Sequence, residues 1–291
     1  MARILGGLAA SHVPSIGNAI AKGLQQDPYW KPFFDGFIPA QKWLEEIKPD
    51  VAVVFSNDHG LNFFLDKMPT FAIGAAPVYA SADEGWGIPV NDPWPGIAPL
   101  SWHIANNVVA DEFDPVICQE MLIDHAVCLP LACFFERAGL KKGRPVRIVP
   151  IGINTVQLPM PSLKRCFEFG RSIGRAIESY PEDLKVVLIG TGGLSHQLEG
   201  ERAGHVNREF DTFCMDHMAG DPLPLTKIAS LELIEKAGTA GLEFMNWMTM
   251  RGALLGDVHE ISRAYHIPIS NTAAAVQVLE QSPALLAQAA E

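Results

Sequence analysis

At 291 residues, with 48% hydrophobic and 19% charged residues, the chain can bury a large core and is unlike a disordered segment. A formal net charge of −11 argues against a nucleic-acid groove, and it leaves an anionic ligand to be met by local positive charge or a metal. No apolar run reaches the roughly 18 residues of a membrane span, and Met1-Ala2-Arg3-Ile4-Leu5 carries no signal-like pattern, so a soluble, cytoplasmic protein is expected.

In chain order, the first strand pattern is the apolar run from Arg3 to Ala10, followed by amphipathic helical stretches between Trp30 and Ile47. A second apolar run, Val51 to Ser56, predicts another strand. From Asp83 to Leu100 the chain is rich in Gly, Pro, Asp and Trp, which predicts a long ordered loop. Val116 to Leu122 is a weaker strand pattern, and Leu129 to Ala138 is an apolar helix with Gly139 at its C-cap. Val146 to Asn154 and Lys185 to Gly190 complete the strands. Between those two, Ser162 is placed to N-cap a helix from Leu163 to Ser179, with Phe167, Ile173 and Ile177 facing inward. A last helix covers about Ala240 to Leu255.

Continuous apolarity, not alternation, marks strands covered on both faces. Alternation of such strands with helices predicts a single α/β domain with a mostly parallel or mixed central sheet flanked by helices. The domain is expected over residues 1–280, with 281–291 a short tail rich in Ala and Gln. The five cysteines (118, 128, 133, 166 and 214) form no CxxC pair and read as buried free thiols.

Three histidines follow predicted strands: His12 in Leu-Ala-Ala-Ser-His, His59 in Val-Phe-Ser-Asn-Asp-His, and His196 in Ile-Gly-Thr-Gly-Gly-Leu-Ser-His. Ligand sites of open α/β sheets gather just outside the carboxyl ends of strands, so three such residues form a candidate site. Any one alone reads as an ordinary hydrogen-bonded loop histidine. Glu243 sits in an almost wholly apolar helix, with Asn246, Trp247 and Met250 on its face. A carboxylate there needs a partner, either a metal or a base such as Arg251. Two histidines and one carboxylate suit a facial triad on non-haem iron, and the same set also serves zinc hydrolases.

These segments resemble the class III extradiol dioxygenases, in particular the catalytic β subunits of protocatechuate 4,5-dioxygenases. The likeness is carried by Ser11-His12-Val13-Pro14, Asn57-Asp58-His59, Pro69 through Gly74, Ala82-Asp83-Glu84-Gly85 and Asp124-His125. It continues through Glu178 to Leu184, Gly190 to Gln197, Met250 to Leu254 and Tyr265 to Ala273. The resemblance implies Fe(II) ligands at His12, His59 and Glu243, a catalytic acid/base at His196 and a second active-site histidine at His125. It also implies contact with a substrate carboxylate at Ser270 and Asn271, a pair that would equally serve as a turn or cap.

The implied reaction is cleavage of a carboxylated catechol beside its two hydroxyls with O₂, giving a semialdehyde. Protocatechuate is the expected substrate, with gallate or another substituted catechol as the alternative. Zinc hydrolysis and a non-catalytic metal-binding protein are the rival functions. Ala126-Val127 after Asp124-His125, and Ser56 before Asn57, depart from the family pattern near the expected pocket. The resemblance further implies a small α subunit over the pocket, with homodimerisation as the alternative. His103, His205, His217, His259 and His266 read as structural or surface residues.

Overall fold

A computed structural model of the chain describes residues 1–85, 87–88, 92–136, 146–269 and 272–282. Its strands are β1 (Arg3–Ala10), β2 (Val51–Ser56), β3 (Phe71–Gly74), β4 (Val78–Tyr79), β5 (Trp94–Pro95), β6 (Val116–Cys118), β7 (Arg147–Ile153), β8 (Lys185–Thr191), β9 (Val258–Ile269) and β10 (Thr272–Gln281). Its α-helices are α1 (Pro14–Ala21), α2 (Lys31–Asp35), α3 (Ile38–Ile47), α4 (Ala98–Ala110), α5 (His125–Leu131), α6 (Leu163–Glu178), α7 (Arg208–Ala219), α8 (Ser230–Ala237) and α9 (Phe244–Ala253).

Eight strands form one sheet in the order β6-β3-β7-β2-β8-β1-β10-β9. The inner four, β7, β2, β8 and β1, run parallel. On one side β3 pairs antiparallel with β7, and on the other β10 pairs antiparallel with both β1 and β9. The sheet is therefore mixed.

Side chains of one strand alternate between two cores, as the period of two requires. Val51, Val53 and Phe55 of β2 join the α4, α6 and α9 side, while Ala52 and Val54 join the α1, α3 and α5 side. Burial on both faces explains why these strands are apolar throughout.

Several expectations are corrected in their bounds. The run from Val116 to Leu122 yields only the three residues Val116–Cys118 of β6. The long loop gives way to β5, and its last residues open α4 at Ala98, with Pro99 in the first turn where a missing N–H costs nothing. The helix expected from Leu129 begins earlier, at His125, and passes into a π-helical turn at Ala132–Glu136; its expected end at Gly139 lies outside the described residues. The stretch from Trp30 to Ile47 is two helices, α2 and α3. Ser162 caps α6 as expected, its Oγ accepting from Arg165 N–H at 3.1 Å. None of the five cysteines is in a disulfide; four are buried and Cys118 is half-buried.

Candidate metal and active site

The parallel strands β1, β2 and β8 end side by side, and the chain leaves each of them toward one cavity of about 360 Å³. His12 follows β1 by two residues and His59 follows β2 by three. After β8, Gly192 and Gly193 turn the chain toward His196. Glu243 reaches the same place from the short 3₁₀ turn Ala240–Glu243 that leads into α9. His125 arrives from the first residue of α5. All five side chains line the cavity.

Glu243 is the hub. Its Oε1 lies 3.1 Å from His12 Nε2 and 3.7 Å from His59 Nε2, and its Oε2 lies 3.8 Å from His196 Nε2. Gly193 N–H donates to Oε2 at 2.7 Å, and Asn57 Nδ2 donates to Oε1 at 3.3 Å. The alternative partner, Arg251, turns away and donates to the carbonyls of Met218, Leu254 and Gly220. Glu243 thus serves the histidines. Burial works against its charge, but the imidazoles of His12, His59 and His196 hold its carboxyl well below the usual range.

Each histidine commits Nδ1 to an acceptor away from the cavity. His59 donates to Asp124 at 2.9 Å, His125 to Glu84 at 2.7 Å, and His196 to the Leu194 carbonyl at 3.0 Å. His12 Nδ1 lies 3.2 Å from Thr191 Oγ1, whose own proton goes to the Phe55 carbonyl, so Oγ1 accepts here too. This places a proton on Nδ1 of all four and turns Nε2 toward the cavity. Asp124 does two tasks, since its other oxygen caps α5 through Ala126 N–H at 3.0 Å. Burial lowers the His125 pKa against the pull of Glu84, with the nearby His59 and His12 adding to the effect.

This donor set fits a divalent transition-metal cation. Two ligand atoms each about 2 Å from one ion, at roughly a right angle, lie about 3 Å apart. The separations from Glu243 Oε1 to the two Nε2 atoms, 3.1 and 3.7 Å, are close to that. With Nδ1–H committed, His12 Nε2 also faces Oε1 acceptor to acceptor, which only a proton or a cation between them relieves. Burial opposes a charge on His59, yet Asp124 and Glu243 raise its pKa to about 10, so positive charge is favoured at this spot. A second possible ligand set is His12, His59 and His125, whose ligand atoms lie within 4.8 Å of one another.

Thr191, Glu84 and Asn246 complete the arrangement and had no assigned role in the sequence. Asn246 Nδ2 donates to Asn57 Oδ1 at 3.0 Å and to the Thr191 carbonyl at 2.9 Å, tying α9 to the ends of β2 and β8. Such pairings span 41 to 189 residues, so composition alone gives no signal for them. Ser270 and Asn271 lie outside the described residues. His103, His205 and His217 bond Ser179, the Lys236 carbonyl and the Asp221 carbonyl, away from the cavity. Among the described residues no helix is long and apolar enough to cross a membrane.

Comparison with known proteins shows the family of the chain. Gallate dioxygenase of Pseudomonas putida is 39% identical over 199 residues, covering 68% of this chain and 57% of that protein. A 2,3-dihydroxyphenylpropionate/2,3-dihydroxicinnamic acid 1,2-dioxygenase of Mycobacterium ulcerans is 35% identical over 159 residues, 54% of this chain and 47% of that one. The chain thus spans about half the length of these curated relatives. The crystal structure of an uncharacterized Escherichia coli K12 protein shares the fold, with a TM-score of 0.59 at 13% identity over 94% of this chain and 99% of that one. The profile of the catalytic LigB subunit of aromatic ring-opening dioxygenase matches residues 6–277, and the chain belongs to that family.

Proposed function

We propose that the chain is an extradiol ring-cleaving dioxygenase acting on a carboxylated catechol, protocatechuate first and gallate or another substituted catechol as the alternative, with Fe(II) held by His12, His59 and Glu243. The observation that carries this reading is the approach of two imidazole Nε2 atoms to one buried carboxylate oxygen, with two further imidazoles beside them. Family membership and the dioxygenase names of the relatives support the reaction class. The gallate relative supports a carboxylated ring, and the dihydroxyphenylpropionate relative a catechol with a longer acid side chain.

When bound, Fe(II) supplies an open coordination face and redox chemistry for a chelating catechol and O₂. The chain's own residues orient the ring and handle its protons. His196 Nε2 takes a hydroxyl proton and returns it during cleavage. Its Nδ1–H is held by a carbonyl, so exchange at this ring is confined to Nε2. His125 presents a second Nε2 to the same cavity, its ring fixed by Glu84. Thr155, Val156, Leu198 and Ala240 wall the cavity.

Val156 and Leu198 are also more than half exposed at the cavity mouth, with exposed Leu158 nearby in sequence. Exposed apolar groups at a mouth support a small α-type subunit seated there, with homodimerisation as the competing arrangement. O₂ uptake by the Fe(II)-loaded chain, measured against protocatechuate, gallate, 2,3-dihydroxyphenylpropionate and unsubstituted catechol, tests the function. Uptake with none of them, or hydrolytic activity with zinc as the native metal, sinks the proposal.

A further inference from the structure

Ser195, the residue before His196, has every polar atom engaged. Its N–H and its Oγ–H both donate to the Asp211 carboxylate, at 2.8 and 2.6 Å. Its Oγ accepts from Asn207 N–H at 2.7 Å, and its carbonyl accepts from Ala273 N–H at 3.1 Å. Tyr265 of β9 donates its hydroxyl to the same Asp211 at 2.6 Å. Asp211 lies in the first turn of α7 and is 1% exposed. Its hydrogen-bond partners are thus neutral donors converging from the His196 loop and from β9. Burial pushes its carboxyl pKa up, although those donors pull the other way.

A buried carboxylate is costly, and its placement calls for a reason. Asp211 fixes the peptide that carries His196, while His196 N–H is tied to the Ala237 carbonyl at 2.7 Å and its Nδ1–H to Leu194. Only Nε2 is left facing the cavity. We propose that Asp211 is a positioning residue for His196, holding the Ser195 peptide so that the imidazole meets the substrate at its reacting hydroxyl. The inference rests on the acid/base reading of His196. A displacement of about 1 Å at a reacting group can cost about a hundred-fold in rate, so a rigid seat here has catalytic consequence.

Asp211→Asn substitutes an NH₂ for one acceptor oxygen and leaves one of the three donors facing a donor. With Fe(II)-loaded protein and protocatechuate or gallate, kcat should fall about ten-fold or more while KM stays within about two-fold. Iron content should match the unsubstituted chain. In the His196→Phe background, the same change should cause no further loss, because Asp211 acts through that ring. Losses that multiply in the double variant mean a general structural role and overturn the inference, as does an unchanged kcat for Asp211→Asn. Should Asp211→Asn not fold, Ser195→Ala and Tyr265→Phe enter the same cycle under the same criteria. Full turnover in His196→Phe alone would instead remove the acid/base reading, and this inference with it.

Discussion

At the scale of single residues, the site is a set of commitments made on the far side of each ring. Nδ1 contacts decide which nitrogen of His12, His59, His125 and His196 faces the cavity, and the four partners are Thr191, Asp124, Glu84 and a carbonyl. Glu243→Ala removes the one negative charge that His12 and His59 share. It should abolish iron retention and activity together and leave the circular dichroism spectrum unchanged; an iron-loaded Glu243→Ala protein would favour His125 as the third ligand. His196→Phe should keep iron and bind substrate, yet lose turnover by about a hundred-fold or more, within the range of a lost general acid/base. If His196→Phe loses its iron, the ring is a ligand. Glu84→Gln keeps the size of the side chain but meets His125 N–H and Nδ1–H with one acceptor instead of two. It should lower kcat/KM by about ten-fold with iron content intact, and wild-type kinetics would show that Glu84 only anchors its loop.

At the scale of elements, the ends of parallel strands bring distant residues together, and the turn after β8 leaves no room for a side chain at Gly192. Gly192 has φ +125°, and a Cβ there would stand 2.6 Å from Glu243 Cβ. Gly192→Ala should therefore cost about 1–3 kcal/mol in backbone strain alone, and it should also displace the carboxylate. A lower melting temperature with reduced iron content is expected; wild-type values for both would show that the turn relaxes freely. The buried strands β1, β2, β7 and β8 were legible because burial on two faces leaves a continuous apolar run. By contrast, β9 reads Val-His-Glu-Ile-Ser-Arg-Ala-Tyr-His, a mixture set by its edge position, and β10 opens Thr-Ala-Ala-Ala, a helix-like composition. β10 is a strand because it pairs with β1 from the far end of the chain, a non-local cause, and β9 is one because it pairs in turn with β10. The site residues His12, His59, His196 and Glu243 were visible as polar residues after strands or in an apolar helix. Their partners Thr191 and Asp124 were not, because side-chain pairing across 65 or more residues leaves no local pattern.

At the scale of the whole molecule, helices cover both faces of the sheet while the cavity opens at the strand ends, where Val156 and Leu198 remain exposed. Exposed apolar side chains at such a mouth contribute little to holding a substrate in water. They contribute more when a second protein covers them, since apolar area removed from water is worth about 25 cal/mol per Å². Covering the mouth would also strengthen every charge interaction among Glu243 and the four imidazoles by excluding water. A small partner subunit should therefore lower KM and raise kcat/KM by about ten-fold or more, with the gain saturating at one partner per chain. Val156→Asp with Leu198→Asp should abolish that gain while leaving iron bound, because neither side chain reaches Glu243 or a histidine by a hydrogen bond. Sedimentation and steady-state kinetics of the purified chain, with and without an α-type subunit, decide between the arrangements. A chain that sediments as a homodimer, turns over fully and gains nothing from the small subunit closes its own pocket, and the heteromeric proposal then fails.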